Sequence, residues 1–161
     1  MSARSPVARV GLGYDSHRFK KGRPLILGGV TVPHDRGLDG HSDADVVLHA
    51  VIDAVLGAAG LGDIGTFFPD SDPRWKGADS LKLLENTRAR LGRRRVVHVD
   101  VTLLAEAPRI GPYKNRMRTK IARALRVPLE GVSVKAKTNE GMGFVGRREG
   151  LAALAVAGVV A

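Results

Sequence analysis

The stretch Ala44 to Ala59 constrains the fold of this chain more than any other segment. Its apolar residues Val47, Leu48, Val51, Ile52, Val55 and Leu56 recur at helical spacing, on one face of a helix. A helix with such a stripe needs a second layer to bury it. Val96 to Leu104 carries the complementary pattern. Val97, Val99, Val101 and Leu103 alternate with Val96, His98, Asp100 and Thr102, the period of a strand. A chain holding both patterns is expected to pack helices against a sheet.

The other segments extend this reading. Val7 to Gly13 reads as a short strand that runs on into Tyr14-Asp15-Ser16-His17. Pro24 to Ile26 and Val30 to Pro33, joined through Gly28-Gly29, read as a small hairpin. Ser42 is placed as the N-cap of the first helix, with Asp45 in the capping-box position, and Gly57 and Gly60 mark its end. Gly62 to Lys76 reads as a loop broken by Gly65, Pro69 and Pro73. Asp79 or Ser80 opens a second helix to about Leu91. Pro112 to Leu125 forms a basic third helix with Met117, Ile121 and Leu125 on its inner stripe. Val132 to Lys137 is a strand. Leu151 to Val160 is a last strand, although its alanines equally suit a helix. With the hairpin counted once, the order β-β-α-α-β-α-β-β implies an α+β fold, a mixed β-sheet with helices packed on one face. The 161 residues suit a single domain, 1–161.

The chain has no cysteine, which excludes a disulfide framework, a thiolate metal site and a cysteine nucleophile. No apolar run approaches the roughly 20 residues of a membrane helix. Met1 to Arg9 lacks the apolar stretch of a secretory signal, so a cytoplasmic protein with no membrane partner is expected.

Charge is segregated. Lys82 to Arg126 holds thirteen Lys and Arg against Glu85, Asp100 and Glu106, which accounts for the whole net charge of +10. Gly37 to Pro73 holds seven Asp and no Lys or Arg. Carboxylates in excess beside histidines are what a cation site needs, and a solvated acidic loop has the same composition. Asp15 and His17, two apart on an extended segment, share a face. His49 lies mid-helix with Asp45 and Asp53 four residues away on either side. One Asp and two His make a three-ligand set for zinc with an open fourth position. Asp53 is a candidate to orient an imidazole from behind. The alternatives are a plain strand end and a core histidine. Gly11-Leu12-Gly13 begins like a dinucleotide fingerprint, but Ser16 stands at the third glycine and no helix follows. Gly40-His41-Ser42-Asp43, at a helix start, suits a phosphate or an ordinary cap. Lys137 to Gly143 offers an ammonium, a hydroxyl, an amide and a carboxylate in a permissive loop, as would a polar surface turn. The seven aromatic residues include only Tyr113 within the basic stretch, which argues against stacking on single-stranded nucleic acid.

Taken together, the motifs resemble the 2-C-methyl-D-erythritol 2,4-cyclodiphosphate synthase family. The resemblance rests on Gly11 to His17, Gly40 to Ala50, Leu56 to Gly65, Phe68 to Pro73, Lys76 to Ser80, Lys135 to Glu140 and Gly143 to Arg147, in that order. It runs from Arg9 to about Ala157. It implies an enzyme, a phosphorus-oxygen lyase of the non-mevalonate isoprenoid pathway. The implied substrate is 4-diphosphocytidyl-2-C-methyl-D-erythritol 2-phosphate, which is cyclised with release of CMP.

The implied zinc ligands fall on Asp15, His17 and His49. A magnesium or manganese ion is implied between the substrate diphosphate and Glu140. His41 and Ser42 would contact the 2-phosphate, Asp63 the erythritol hydroxyls and Thr138 the diphosphate, with Phe68 and Asp70 in the same substrate site. Asp15, His41, Glu140 and Thr138 would carry catalysis. The cytosine pocket would fall on Ala107, Pro108, Arg109, Ala136 and Lys137. The resemblance also implies a homotrimer with active sites between subunits. Tyr14, Phe144 and Arg147 match residues lining a central cavity that holds isoprenoid diphosphates in some members. The chain departs from some members at Lys137, Gly111 and Leu12. Two other readings compete: a basic nucleic-acid-binding module and a structural zinc protein without activity.

Overall fold

The computed structural model describes residues 8–161. Val7, which the sequence places in the first strand, and the rest of the segment read for a secretory signal up to that residue lie outside the described residues. A five-stranded mixed sheet runs in the order β4-β1-β7-β5-β6, where β1 is Ala8–Lys20, β4 Gly37–Leu38, β5 Arg95–Leu104, β6 Val132–Lys137 and β7 Gly150–Val160. Neighbours are antiparallel except β5 and β6, which are parallel and joined through helix α4, Lys114–Leu125. A separate hairpin pairs β2, Leu25–Leu27, with β3, Val30–Val32. Its turn residues Gly28 and Gly29 have φ of 57° and 74°, the left-handed pair that a two-residue hairpin turn requires. The α+β class expected from the sequence is what the structure shows.

Helix α1, Val46–Ala59, is the centre of the molecule. The sequence predicts one apolar stripe, yet eleven of its 14 residues are buried. The alanines on its other sides explain the difference: they are short enough to pack against neighbours all round. The three positions left open are His49, Asp53 and Gly57, one line at spacing four.

The sheet is built to receive this helix. Along β1, Gly11 and Gly13 face inward, opposite Ala157 and Ala155 of β7. A Cβ on Gly11 would collide with the Ala54 carbonyl oxygen, and one on Gly13 with that of Ala50. The small residues of β7 are therefore strand residues chosen for close approach by a helix. They do not signal helix. Next along the same inward row come Asp15 and His17.

Two expectations are corrected. The α1 N-cap is Asp45, not Ser42. Asp45 is fully buried and accepts the N–H of Leu48 at 3.0 Å, of Gly28 at 2.9 Å and of Gly29 at 2.7 Å. One carboxylate thus caps α1 and holds the hairpin turn, which a serine hydroxyl cannot do. The stretch 62–76 also contains structure: helix α2, Ile64–Phe67, capped by Asp63, and a 3₁₀ turn, Pro73–Trp75, capped by Asp72. Helix α3, Ser80–Ala89, and the four-residue α5, Gly143–Gly146, complete the set.

Part of the positive charge is structural. Arg23 donates to the carbonyls of Gly40 at 2.7 Å and Ser42 at 2.5 Å. Arg94 binds the carbonyls of Ala59 and Leu91, and Arg118 those of Val132 and Leu129. Among the described residues, no helix is long and apolar enough to cross a membrane.

Candidate metal centre and its surrounding cavities

The tight contact of α1 on β1 brings His49 against Asp15 and His17. Asp15 Oδ2 lies 2.8 Å from His17 Nε2 and 3.1 Å from His49 Nδ1, and the two ring nitrogens are 3.1 Å apart. His17 Nδ1 donates to the Asp39 carbonyl at 2.8 Å, which leaves the Nε2 lone pair of the neutral ring directed at Asp15 and His49. All three donor atoms lie within 4.8 Å of one another. Two imidazoles and a carboxylate converging in this way fit a borderline divalent cation such as zinc, and this group can hold a metal ion.

Burial raises the Asp15 carboxyl, but the bonds and charges of His17 and His49 outweigh it and hold the group at about 2. Burial opposes protonation of His17. The Asp15 carboxylate and the Asp39 carbonyl outweigh it, so the imidazole is pushed above its ordinary value.

The residues behind His49 differ from the expectation. Asp53 does not orient the ring. It accepts the Ile64 N–H at 2.7 Å, holding the start of α2, and burial pushes its carboxyl up. His49 Nε2 instead lies 2.9 Å from Ser80 Oγ and 3.1 Å from Ser42 Oγ. Ser80 is fully buried and bonds Asp43 twice, through its hydroxyl and through its N–H at 2.9 Å. A serine opening a helix thirty-one residues on gives no local sign of this contact.

A cavity of about 520 Å³ opens over the three donors. His41, Ser42, Phe68 and Asp70, which the resemblance assigns to the substrate, line it. Ile64, Gly65, Trp75 and Leu83 line it too and were missed. Asp63 adjoins this wall and uses Oδ1 to accept from Thr66 N at 3.0 Å and Thr66 Oγ1 at 2.9 Å.

A second cavity, about 560 Å³, is lined by Pro108, Arg109, Ala136, Lys137 and Thr138, with Ala107 in the adjoining chain. The two cavities share no lining residue. Glu140 sits on the loop beyond, exposed, with φ of 52° and Oε1 3.3 Å from the Thr138 hydroxyl. Glu106, missed from the sequence, holds this loop: its Oε1 accepts the N–H of Asn139 at 2.9 Å and of Gly141 at 3.1 Å. Its one visible sign was an acid among thirteen cations. Phe144 lines a third hollow of about 180 Å³ with Ser16, Arg18 and Glu149. Arg147 pairs with Glu149 at 3.0 Å, and Tyr14 stands on the outer sheet face.

Known proteins share this architecture. The profile of the YgbB family matches residues 8–160. A 2-C-methyl-D-erythritol 2,4-cyclodiphosphate synthase of Salinibacter ruber is 60% identical over 149 residues, covering 91% of this chain and 95% of that protein. A solved 2C-methyl-D-erythritol-2,4-cyclodiphosphate synthase in a CDP-bound form superposes with a TM-score of 0.84 at 36% identity, covering 92% of this chain and 98% of that one. The bifunctional IspDF of Campylobacter jejuni superposes with a TM-score of 0.93 at 39% identity, covering 97% of this chain, which spans 43% of that longer protein.

Proposed function

This chain belongs to the YgbB family, and from that premise we propose that it converts 4-diphosphocytidyl-2-C-methyl-D-erythritol 2-phosphate to 2-C-methyl-D-erythritol 2,4-cyclodiphosphate and CMP. It does so as a one-domain cytoplasmic lyase of the non-mevalonate isoprenoid pathway. The observation that carries this reading is the convergence of Asp15, His17 and His49 beside a cavity lined by His41 and Ser42.

In the reaction an oxygen of the substrate's 2-phosphate forms a bond to the β-phosphorus. The bond from that phosphorus to the bridging oxygen breaks, and CMP departs with the electron pair. The nucleophile is already on the substrate, so the chain supplies no activated side chain. Asp15, His17 and His49 would hold zinc and Glu140 would help hold magnesium or manganese, and such ions would supply charge neutralisation at the phosphoryl group. His41 and Ser42 hold the 2-phosphate, Asp63 holds the erythritol hydroxyls, and Phe68 and Asp70 wall the site. Thr138 holds the diphosphate. Ala107, Pro108, Arg109, Ala136 and Lys137 receive the cytidine. Fixing both phosphates in line contributes up to roughly 7–11 kcal/mol in favourable cases.

The separation of the two cavities supports a homotrimer in which one subunit's metal centre faces its neighbour's cytidine pocket. The outer sheet face supports it as well. Val10, Leu12 and Tyr14 are 71%, 66% and 52% exposed beside Leu154 and Val156, an apolar patch that a lone subunit leaves in water. Phe144 and Arg147 would then approach the axis and face an isoprenoid diphosphate.

³¹P NMR of the protein with substrate and magnesium tests the proposal. Cyclic diphosphate and equimolar CMP are expected, and both are lost in His49→Ala. Unchanged substrate with folded, zinc-loaded wild type would overturn it.

A further inference from the structure

His49 can serve the metal centre only if its Nδ1 is free of hydrogen, because Nδ1 is the atom that faces Asp15 and His17. A neutral imidazole carries its one hydrogen on either nitrogen, so something must place it on Nε2. The hydrogen bonds behind the ring do this. Asp43 Oδ1 accepts the Asp45 N–H at 3.1 Å and faces the Ser80 hydroxyl, while Oδ2 accepts the Ser80 N–H at 2.9 Å. A carboxylate only accepts, so the single hydroxyl hydrogen of Ser80 points to Asp43. Ser80 Oγ, 2.9 Å from His49 Nε2, then has only lone pairs to offer the ring. Nε2 must donate, which holds the single hydrogen of the neutral ring away from Nδ1 against the pull of the Asp15 carboxylate 3.1 Å from that atom.

Ser42 cannot make the same choice. Its Oγ, 3.1 Å from Nε2, accepts the Ala44 N–H at 3.2 Å, but among the described residues no acceptor other than the ring claims its hydroxyl hydrogen. It bonds either tautomer. We infer that Asp43 and Ser80 are positioning residues for the metal centre, a relay whose fixed hydrogen direction sets the tautomer of His49 for metal binding.

This inference rests on the metal-centre reading for its consequence and makes an unusual demand. Asp43→Asn keeps the shape of the relay but can reverse its direction. The Asn oxygen keeps the shorter of the two backbone bonds, the Ser80 N–H at 2.9 Å against 3.1 Å for the Asp45 N–H, which loses its acceptor; the NH₂ then donates to Ser80 Oγ, and the hydroxyl turns to donate to His49 Nε2. Ser80→Ala only removes the bias. The near-isosteric change is therefore the more harmful, opposite to the order a packing role gives. The comparable Asp-to-Asn change in a Ser-His-Asp triad acts through the wrong tautomer.

The test uses the full chain. The tautomer of His49 is read by long-range ¹H–¹⁵N NMR on metal-free protein in an Asp15→Ala background, where no carboxylate competes for a hydrogen on Nδ1, and zinc affinity, with Asp15 intact, by competition with a chromogenic chelator. With Asp43 and Ser80 in place the ring is expected to show Nε2–H. Asp43→Asn is expected to show Nδ1–H and to bind zinc about 10–100-fold more weakly. Ser80→Ala should lie between and serves alone if Asp43→Asn does not fold. An unchanged tautomer in Asp43→Asn, or greater loss in Ser80→Ala, would overturn the relay. Wild type that binds no zinc would instead sink the metal-centre reading, and the tautomer measurement would still decide the relay.

Discussion

Gly13→Ala is the sharpest test of how the fold makes the site. Its new Cβ would overlap the carbonyl oxygen of Ala50 and lie 2.8 Å from the amide nitrogen of Ala54. Both atoms are α1 backbone, so no side chain can turn away. Ordinary contact begins near 3.4 Å, and full relief requires the helix to move off β1 by about 1.5 Å. Overpacking of this kind costs about 1–3 kcal/mol. In a chain of this size each kcal/mol moves Tm by roughly 2–4 °C, so a fall of roughly 2–12 °C is expected. The same movement carries His49 away from Asp15, now 3.1 Å apart, and zinc affinity falls with it. Gly57→Ala is the control on the facing helix. Its Cβ would meet nothing nearer than the Gly11 Cα at 3.9 Å, and Ala outranks Gly in a helix by about 0.8–1.0 kcal/mol, so this variant is expected to gain stability. Thermal melts of metal-free protein, with chelator competition for zinc, read both effects. Gly13→Ala with unchanged Tm and zinc affinity would refute the claim that glycine at this position sets the helix height.

Removing the Asp45 carboxylate with Asp45→Ala leaves three N–H groups unpaired, two of them buried, at about 1–3 kcal/mol for each buried one. A loss of roughly 2–6 kcal/mol in urea denaturation is expected, and a loss under about 1 kcal/mol, the size of a simple cap, would contradict the double role. For the metal-free protein, the Asp15 contribution is present above 3.8 and lost as pH falls toward about 2. That of His17 is present below 6.5 and lost as pH rises through its elevated value. Zinc must displace the His17 proton, so the zinc-induced rise in Tm should grow with pH through that range. Equal rises at low and high pH would count against it. Leu12→Asp places a charge in the exposed apolar patch, and the proposed trimer is expected to give way to folded monomer in sedimentation velocity; a trimer that survives the change would exclude that face. Glu106→Ala should speed amide exchange at Asn139 and Gly141, and Glu106→Gln should largely restore protection.

Much of the local structure was legible because it repeats within a few residues. The period-two rows put Asp15 and His17 on one face, and the period of α1 put His49 and Asp53 in one open line. The hairpin was legible in Gly28-Gly29, and the mixed sheet in the order of elements. Phe68, Asp70, His41 and Ser42 stood in motifs whose joint order pointed to one site, and the structure gathers them around one cavity. Pro108, Arg109, Ala136 and Lys137, which the same resemblance proposes for cytidine, line a separate cavity of the chain.

Periodicity belongs to the sequence alone, because it follows from covalent geometry that every segment carries with it. The residue types at Asp15, His17 and His49 likewise stated what chemistry was available. Tertiary structure decided which of those groups meet. Asp15 reaches His49, thirty-four residues away, because Gly11 and Gly13 let backbone approach backbone. Asp45 displaced Ser42 as the cap because a distant hairpin offered it two further N–H groups. Ser80 displaced Asp53 behind the imidazole because α3 begins there. Each outcome is a competition for volume or for a hydrogen-bond partner between segments far apart in the chain, and it is settled only when all of them are packed together.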